Sequence, residues 1–116
     1  MKVRTLEEKL NSVVKSGYTI ECVEHTKTET IVDEYYSRKE EGVVVRQTYA
    51  GEIEILAKGN NTTERLFRID PPYDVLRSWN VNLDSSVKVY DATGLADYIA
   101  MLKVINEYIL DKQHEL

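Results

Sequence analysis

Residues 91–112 read DATGLADYIAMLKVINEYILDK, the longest helical pattern in the chain and the one that leaves it the fewest architectures. Leu95, Tyr98, Leu102, Ile105 and Ile109 recur at three- and four-residue steps and so line one side of a helix. A helix of about 20 residues spans about 30 Å, the width of a small domain. It needs a floor to lie on, and a sheet with one apolar face supplies one. Ile99, Met101, Val104, Tyr108 and Leu110 widen the apolar surface beyond the stripe that a surface helix needs. If the sheet covers the first set, then Met101, Val104 and Tyr108 are left over. They are the expected homodimer interface, since a leftover apolar patch on a small domain usually marks one.

The rest of the chain supplies the sheet. Residues 5–16 form an amphipathic helix with Leu6, Leu10, Val13 and Val14 on one side. Thr5 and Glu8 have the spacing of a capping box, and Gly17 can take the left-handed stop. From residue 18 to residue 70 the pattern is that of strands, rich in β-branched and aromatic residues. Residues 39–42 make a hairpin loop, Ala50-Gly51 a kink, and 59–63 a second loop. With that second loop, Ile55 faces Phe67, Ile53 faces Ile69 and Glu54 faces Arg68; a one-residue slip would mix apolar and charged side chains. Val32, Tyr36, Val45, Tyr49, Ile53, Ile55, Phe67 and Ile69 then share the core face. Tyr35, Arg46, Thr48, Glu52, Glu54 and Arg68 share the other, expected to be wet or to bind a partner. Asp70-Pro71-Pro72 opens a short helix through Val75, Leu76 and Trp79, and residues 85–90 form a strand. The expected fold is one α+β domain over residues 1–116. Two layers are expected: a mostly antiparallel sheet of four or five strands, packed against an N-terminal helix and a long C-terminal helix.

Composition narrows the chemistry. Fifteen basic against 20 acidic residues give a net charge of −5, with the signs interspersed, which disfavours a nucleic-acid partner. The five glycines are scattered and make no phosphate-binding loop, so no cofactor is expected. One cysteine excludes an internal disulfide. Cys22-x-x-His25 resembles half a metal site, but on a strand those residues point to opposite faces. The other histidine, His114, is in the tail, so no metal site is expected. Nor does a single ordered histidine serve a nucleophilic triad. No apolar run suggests a leader or a membrane span, and the cytoplasm is the expected location.

The hairpin GEIEILAKGNNTTERLFRID, with the helix ending at Gly17-Tyr18, resembles the core of the PD-(D/E)xK nuclease family over roughly residues 5–70. The resemblance implies metal-assisted hydrolysis, with Glu52, Glu54 and Asp70 as candidate catalytic carboxylates. The position of the family's E-x-K reads Arg68-Ile69-Asp70, which puts a cation where a ligand belongs. The alternative at the same residues is a Glu54–Arg68 cross-strand pair. Eight tyrosines, among them Tyr35, Tyr36 and Tyr49 on the sheet, would also suit stacking on bases. Acidic neighbours offset the cations that such a platform needs. The leading expectation is a non-enzymatic, homodimeric binding or adaptor protein with a protein partner. Its expected binding face carries Tyr35, Arg46, Glu52, Glu54 and Arg68.

Overall fold

The computed structural model describes residues 1–32, 45–72, 78–84 and 91–115. Its elements are α1 (Val3–Val13), β1 (Thr19–Glu24), β2 (Glu29–Val32), β3 (Val45–Thr48), β4 (Ile53–Gly59), β5 (Thr62–Asp70), β6 (Asn80–Leu83) and α2 (Ala92–Gln113). Four strands form an antiparallel sheet in the order β1-β4-β5-β6, and β2 pairs with β3. With a helix at each end of the chain, this is the expected α+β fold. The loop at 39–42, Val75 and Leu76 of the expected short helix, the strand at 85–90 and Tyr36 lie outside the described residues; Trp79, expected in that helix, is not helical and leads directly into β6.

The two sheets share one register. The β1–β4 ladder ends at Glu24↔Ile53, and the β2–β3 ladder begins at Glu29↔Thr48, with four residues on each side between them. Residues 19–32 and 45–59 are therefore the two arms of one long hairpin, interrupted by a kink. There the His25 N–H donates to the Glu52 carbonyl at 2.8 Å, the Gly51 N–H to the His25 carbonyl at 2.7 Å, and the Glu52 N–H to the Tyr49 carbonyl at 3.0 Å. Gly51 has φ +88°, and a Cβ on it would stand 3.2 Å from Pro71 Cγ. Both facts call for glycine at the expected kink.

Between β4 and β5 the pairs Ile53↔Ile69, Glu54↔Arg68 and Ile55↔Phe67 form as the face pattern predicts. The turn is tighter than 59–63. Gly59 pairs with Thr62, and Asn60-Asn61 make the turn with Asn61 at φ 58°, a conformation asparagine tolerates. A bulge reconciles the two: Leu56 faces Arg65 while Ile55 faces Phe67, so Leu66 is the extra residue.

One face of the sheet is the core. Ile20, Ile53, Ile55, Phe67 and Ile69 meet Leu6 and Leu10 of α1 and Met101, Val104, Ile105 and Tyr108 of α2. The Phe67 ring lies 5.8 Å from that of Tyr98, and Trp79 stands edge-on to Tyr108 at 6.2 Å. Complete burial of a side chain such as Phe67 contributes roughly 1.5–3 kcal/mol.

Both helices differ in detail from their patterns. α1 starts at Val3, its N-cap Lys2 makes no side-chain bond, and Thr5 lies inside the helix instead of capping it. Gly17 does take positive φ, at +81°, but three residues beyond the Val14 C-cap. α1 also closes an edge of the sheet. Its Asn11 side chain accepts from the Ile20 N–H at 2.8 Å and donates to the Ile20 carbonyl at 2.9 Å, and Glu7 accepts from the Cys22 N–H at 2.9 Å.

α2 begins at Asp91, whose carboxylate accepts from the Gly94 N–H at 2.7 Å. Its inward side is not the one its longest apolar stripe suggests. Met101, Val104 and Tyr108 are 3, 7 and 3 % exposed and belong to the subunit's own core, so they are not a surplus face. Leu95, Ile99 and Leu110 are 48, 45 and 46 % exposed instead. The carboxylate of Asp97 sets this rotation. It accepts from the Lys15 N–H at 2.9 Å, the Ser16 N–H at 3.0 Å and the Ser16 hydroxyl at 2.5 Å. That clamp turns residues 97, 101, 104, 105 and 108 toward α1 and the sheet.

Candidate functional site

Cross-strand partners point to the same side of a sheet, so the pairs Glu54↔Arg68 and Arg68↔Asn82 place these three side chains opposite the core. Arg65 joins them. Residues three apart on a regular strand face opposite ways, but the bulge at Leu66 returns Arg65 to the side of Arg68. Asp70 follows Arg68 by two and shares its face.

The result is a chain of buried charge. Arg68 Nε reaches Glu52 Oε1 at 3.1 Å and Asp70 Oδ1 at 3.0 Å, and Arg68 Nη2 reaches Asp70 Oδ2 at 3.2 Å. Asn82 Nδ2 donates to the same Asp70 oxygen at 2.7 Å. Next to this group, His25 Nε2 donates to Glu54 Oε1 at 2.6 Å, and Arg65 bridges Glu54 Oε2 at 3.3 Å and Asp84 Oδ2 at 3.2 Å. Glu52 also accepts from the Tyr49 N–H at 3.2 Å, which ties the network to the hairpin kink.

Glu52, Glu54 and Asp70 are 1, 3 and 4 % exposed and Thr48 is fully buried, so the expectation of a wet face fails for Thr48, Glu52 and Glu54. A carboxylate can be buried at this depth because charged donors and amide hydrogens replace its water. Ion pairs of this kind are weak net stabilisers when intact, yet removing one partner costs about 3–5 kcal/mol. The solvent-facing part of the network is Arg68, whose side chain is one third exposed, with the exposed Asn82 beside it.

The other candidates divide. Tyr35 lies outside the described residues. Arg46 stands in β3 opposite Ile31, and Tyr49 is exposed at the kink. Cys22 and His25 diverge: Cys22 packs against the core while His25 bonds to Glu54. Burial, with Glu7 and Glu21 nearby, pushes the Cys22 thiol up to about 12. Among the described residues, no group of three or more His, Cys, Asp or Glu side chains is arranged to hold a metal ion. Among them, too, no helix is long and apolar enough to cross a membrane. The sequence reading missed His25, Arg65, Asn82 and Asp84 as members of one network. Arg65 had no local signal, because only the bulge moves it to that face.

Comparison with protein-family models, with curated proteins and with solved structures finds no match.

Proposed function

We propose that the protein is a small, non-enzymatic binding module that acts as a homodimer in the cytoplasm and engages a protein partner. The observation that carries this reading is that α2 is apolar on two sides. Its inner side serves the subunit's own core, while Leu95, Ile99 and Leu110 stay in solvent. Apolar surface of this kind on a small domain usually marks an interface. The opposite layer contributes a second surface. Arg68 rises from a floor of buried carboxylates, and a guanidinium so braced suits a carbonyl or carboxylate of a partner. The net charge of −5 favours a protein over a nucleic acid as that partner.

Light scattering on the purified protein tests the assembly: a dimer mass at micromolar concentration is expected, and a monomer at every concentration overturns it. A second reading, metal-dependent hydrolysis, draws on the burial of Glu52, Glu54 and Asp70 side by side. It requires a metal ion to displace Arg65, Arg68 and His25 from those oxygens. Its test is whether Mg²⁺ or Mn²⁺ raises the melting temperature and supports plasmid cleavage that Glu54→Ala abolishes. Silence in both assays removes it.

A further inference from the structure

On the outer side of α2, Leu95, Ile99, Leu102, Asn106, Ile109 and Gln113 follow one another at steps of four, three, four, three and four. That is the 3.5-residue repeat of a coiled-coil seam, with Leu95, Leu102 and Ile109 in d positions and Ile99, Asn106 and Gln113 in a positions. The inner residues 97, 101, 104, 105 and 108 lie on another side of the helix. Leu102 and Ile109 are half-buried, and Leu95, Ile99 and Asn106 are exposed.

The seam lies between two occupied flanks. α1 runs along the side that bears Glu107, which Lys9 Nζ reaches at 3.6 Å, and the sheet along the side that bears Tyr98 and Ile105. We propose that α2 pairs with α2 of a second copy of this chain, parallel and in register, with Asn106 against the partner's Asn106. This rests on the homodimer reading and gives that dimer its surface, axis and polarity.

The occupant is a second copy because of Asn106. In the middle of an apolar stripe, an amide buried against an apolar ligand would lose its water without replacement. Against the same residue of an identical helix it finds both a donor and an acceptor, the arrangement by which a single a-position asparagine fixes register and strand number. Orientation follows from the neighbours. An antiparallel pair at full overlap sets Asn106 opposite the partner's Leu102 and Lys103 beside the partner's Lys103. A parallel pair satisfies Asn106 and sets Lys103 beside the partner's Tyr98. Three heptads would be a marginal helix as a free peptide, but here the core has already ordered all 22 residues of α2, so pairing does not bear that cost.

The test is sedimentation velocity on the full chain and three variants, with circular dichroism as the check on folding. Ile99→Asp and, independently, Leu95→Lys alter exposed side chains, so each is expected to stay folded and weaken self-association by about a hundredfold or more. In a Cys22→Ser background, Asn106→Cys is expected to form a disulfide-linked dimer under mild oxidation. A wild-type dimer that both Ile99→Asp and Leu95→Lys leave intact overturns the seam while the homodimer reading survives. A wild-type monomer overturns both. If the dimer is sensitive to those substitutions but the Asn106→Cys chain cross-links only to a chain carrying Leu102→Cys, the parallel arrangement is overturned.

Discussion

The clamp between Asp97 and the turn after α1 yields the sharpest stability prediction. Asp97 is buried in the second turn of the protein's longest helix, and three hydrogen bonds converge on its carboxylate from Lys15 and Ser16. Hydrogen bonds to a charged acceptor contribute roughly 1.5–3 kcal/mol each. Residues 15 and 16 are exposed, so their N–H groups can turn to water once the carboxylate is gone, and the sum must be discounted. Asp97→Ala is therefore expected to cost about 3 kcal/mol, roughly 10–15 °C in Tm for a domain of this size. Asp97→Asn keeps the shape and one acceptor oxygen and is expected to cost about half as much. The pH dependence carries the same signature. Burial raises the Asp97 pKa, but the bonds from Ser16 and Lys15, with the charge of Lys15, together outweigh it and hold it below the ordinary carboxylate value. A group whose pKa is lowered on folding stabilises fully above its unfolded value, about 4, and loses that contribution as pH falls through the folded value. Urea unfolding followed by circular dichroism at neutral pH and near pH 3 reads both effects. A cost below about 1 kcal/mol for Asp97→Ala, or an acid-side stability loss unchanged in Asp97→Asn, would refute the clamp.

Three further outcomes follow from the geometry. Glu54→Ala removes the buried carboxylate that Arg65 and His25 share, leaving Arg65 to Asp84, and is expected to destabilise by about 3–5 kcal/mol; a loss under about 1 kcal/mol in denaturant titration would show the network to be passive. Asn11→Ala removes two of the three bonds from α1 that close the β1 edge, at about 1–2 kcal/mol, and faster aggregation under mild heating is expected with it. Cys22 is expected to resist alkylation at neutral pH until denaturant is added, since burial, Glu7 and Glu21 hold its thiol protonated; rapid labelling of the folded protein contradicts this.

What was legible in the sequence was whatever a period encodes. The face pattern alone set Ile53, Ile55, Phe67 and Ile69 in the core and paired Glu54 with Arg68, since any slip would have mixed charge with core. The glycine kink was readable because few other residues take that backbone. Two things were not. The rotation of α2 was ambiguous because the helix is apolar on two sides, and the choice between them falls to Asp97, which meets residues 81 and 82 positions earlier in the chain. The charged site was half readable: Glu52, Glu54, Arg68 and Asp70 alternate plainly. Their burial depends on neighbours that periodicity does not report, and the entry of Arg65 depends on a one-residue bulge.

The bonds from Asn11 and Glu7 to β1 bear on how the chain is built in time. The donors and acceptors are nine and 15 residues apart, so α1 and β1 can engage as soon as both leave the ribosome. The ladder partner of β1 is β4, whose first residue comes 29 positions after the last residue of β1. In that interval β1 would be a lone strand with two open edges, the form most prone to pair with a neighbouring chain. With α1 across one edge, it waits with a single vacancy, and β4 is the next segment of the same molecule that pairs with it.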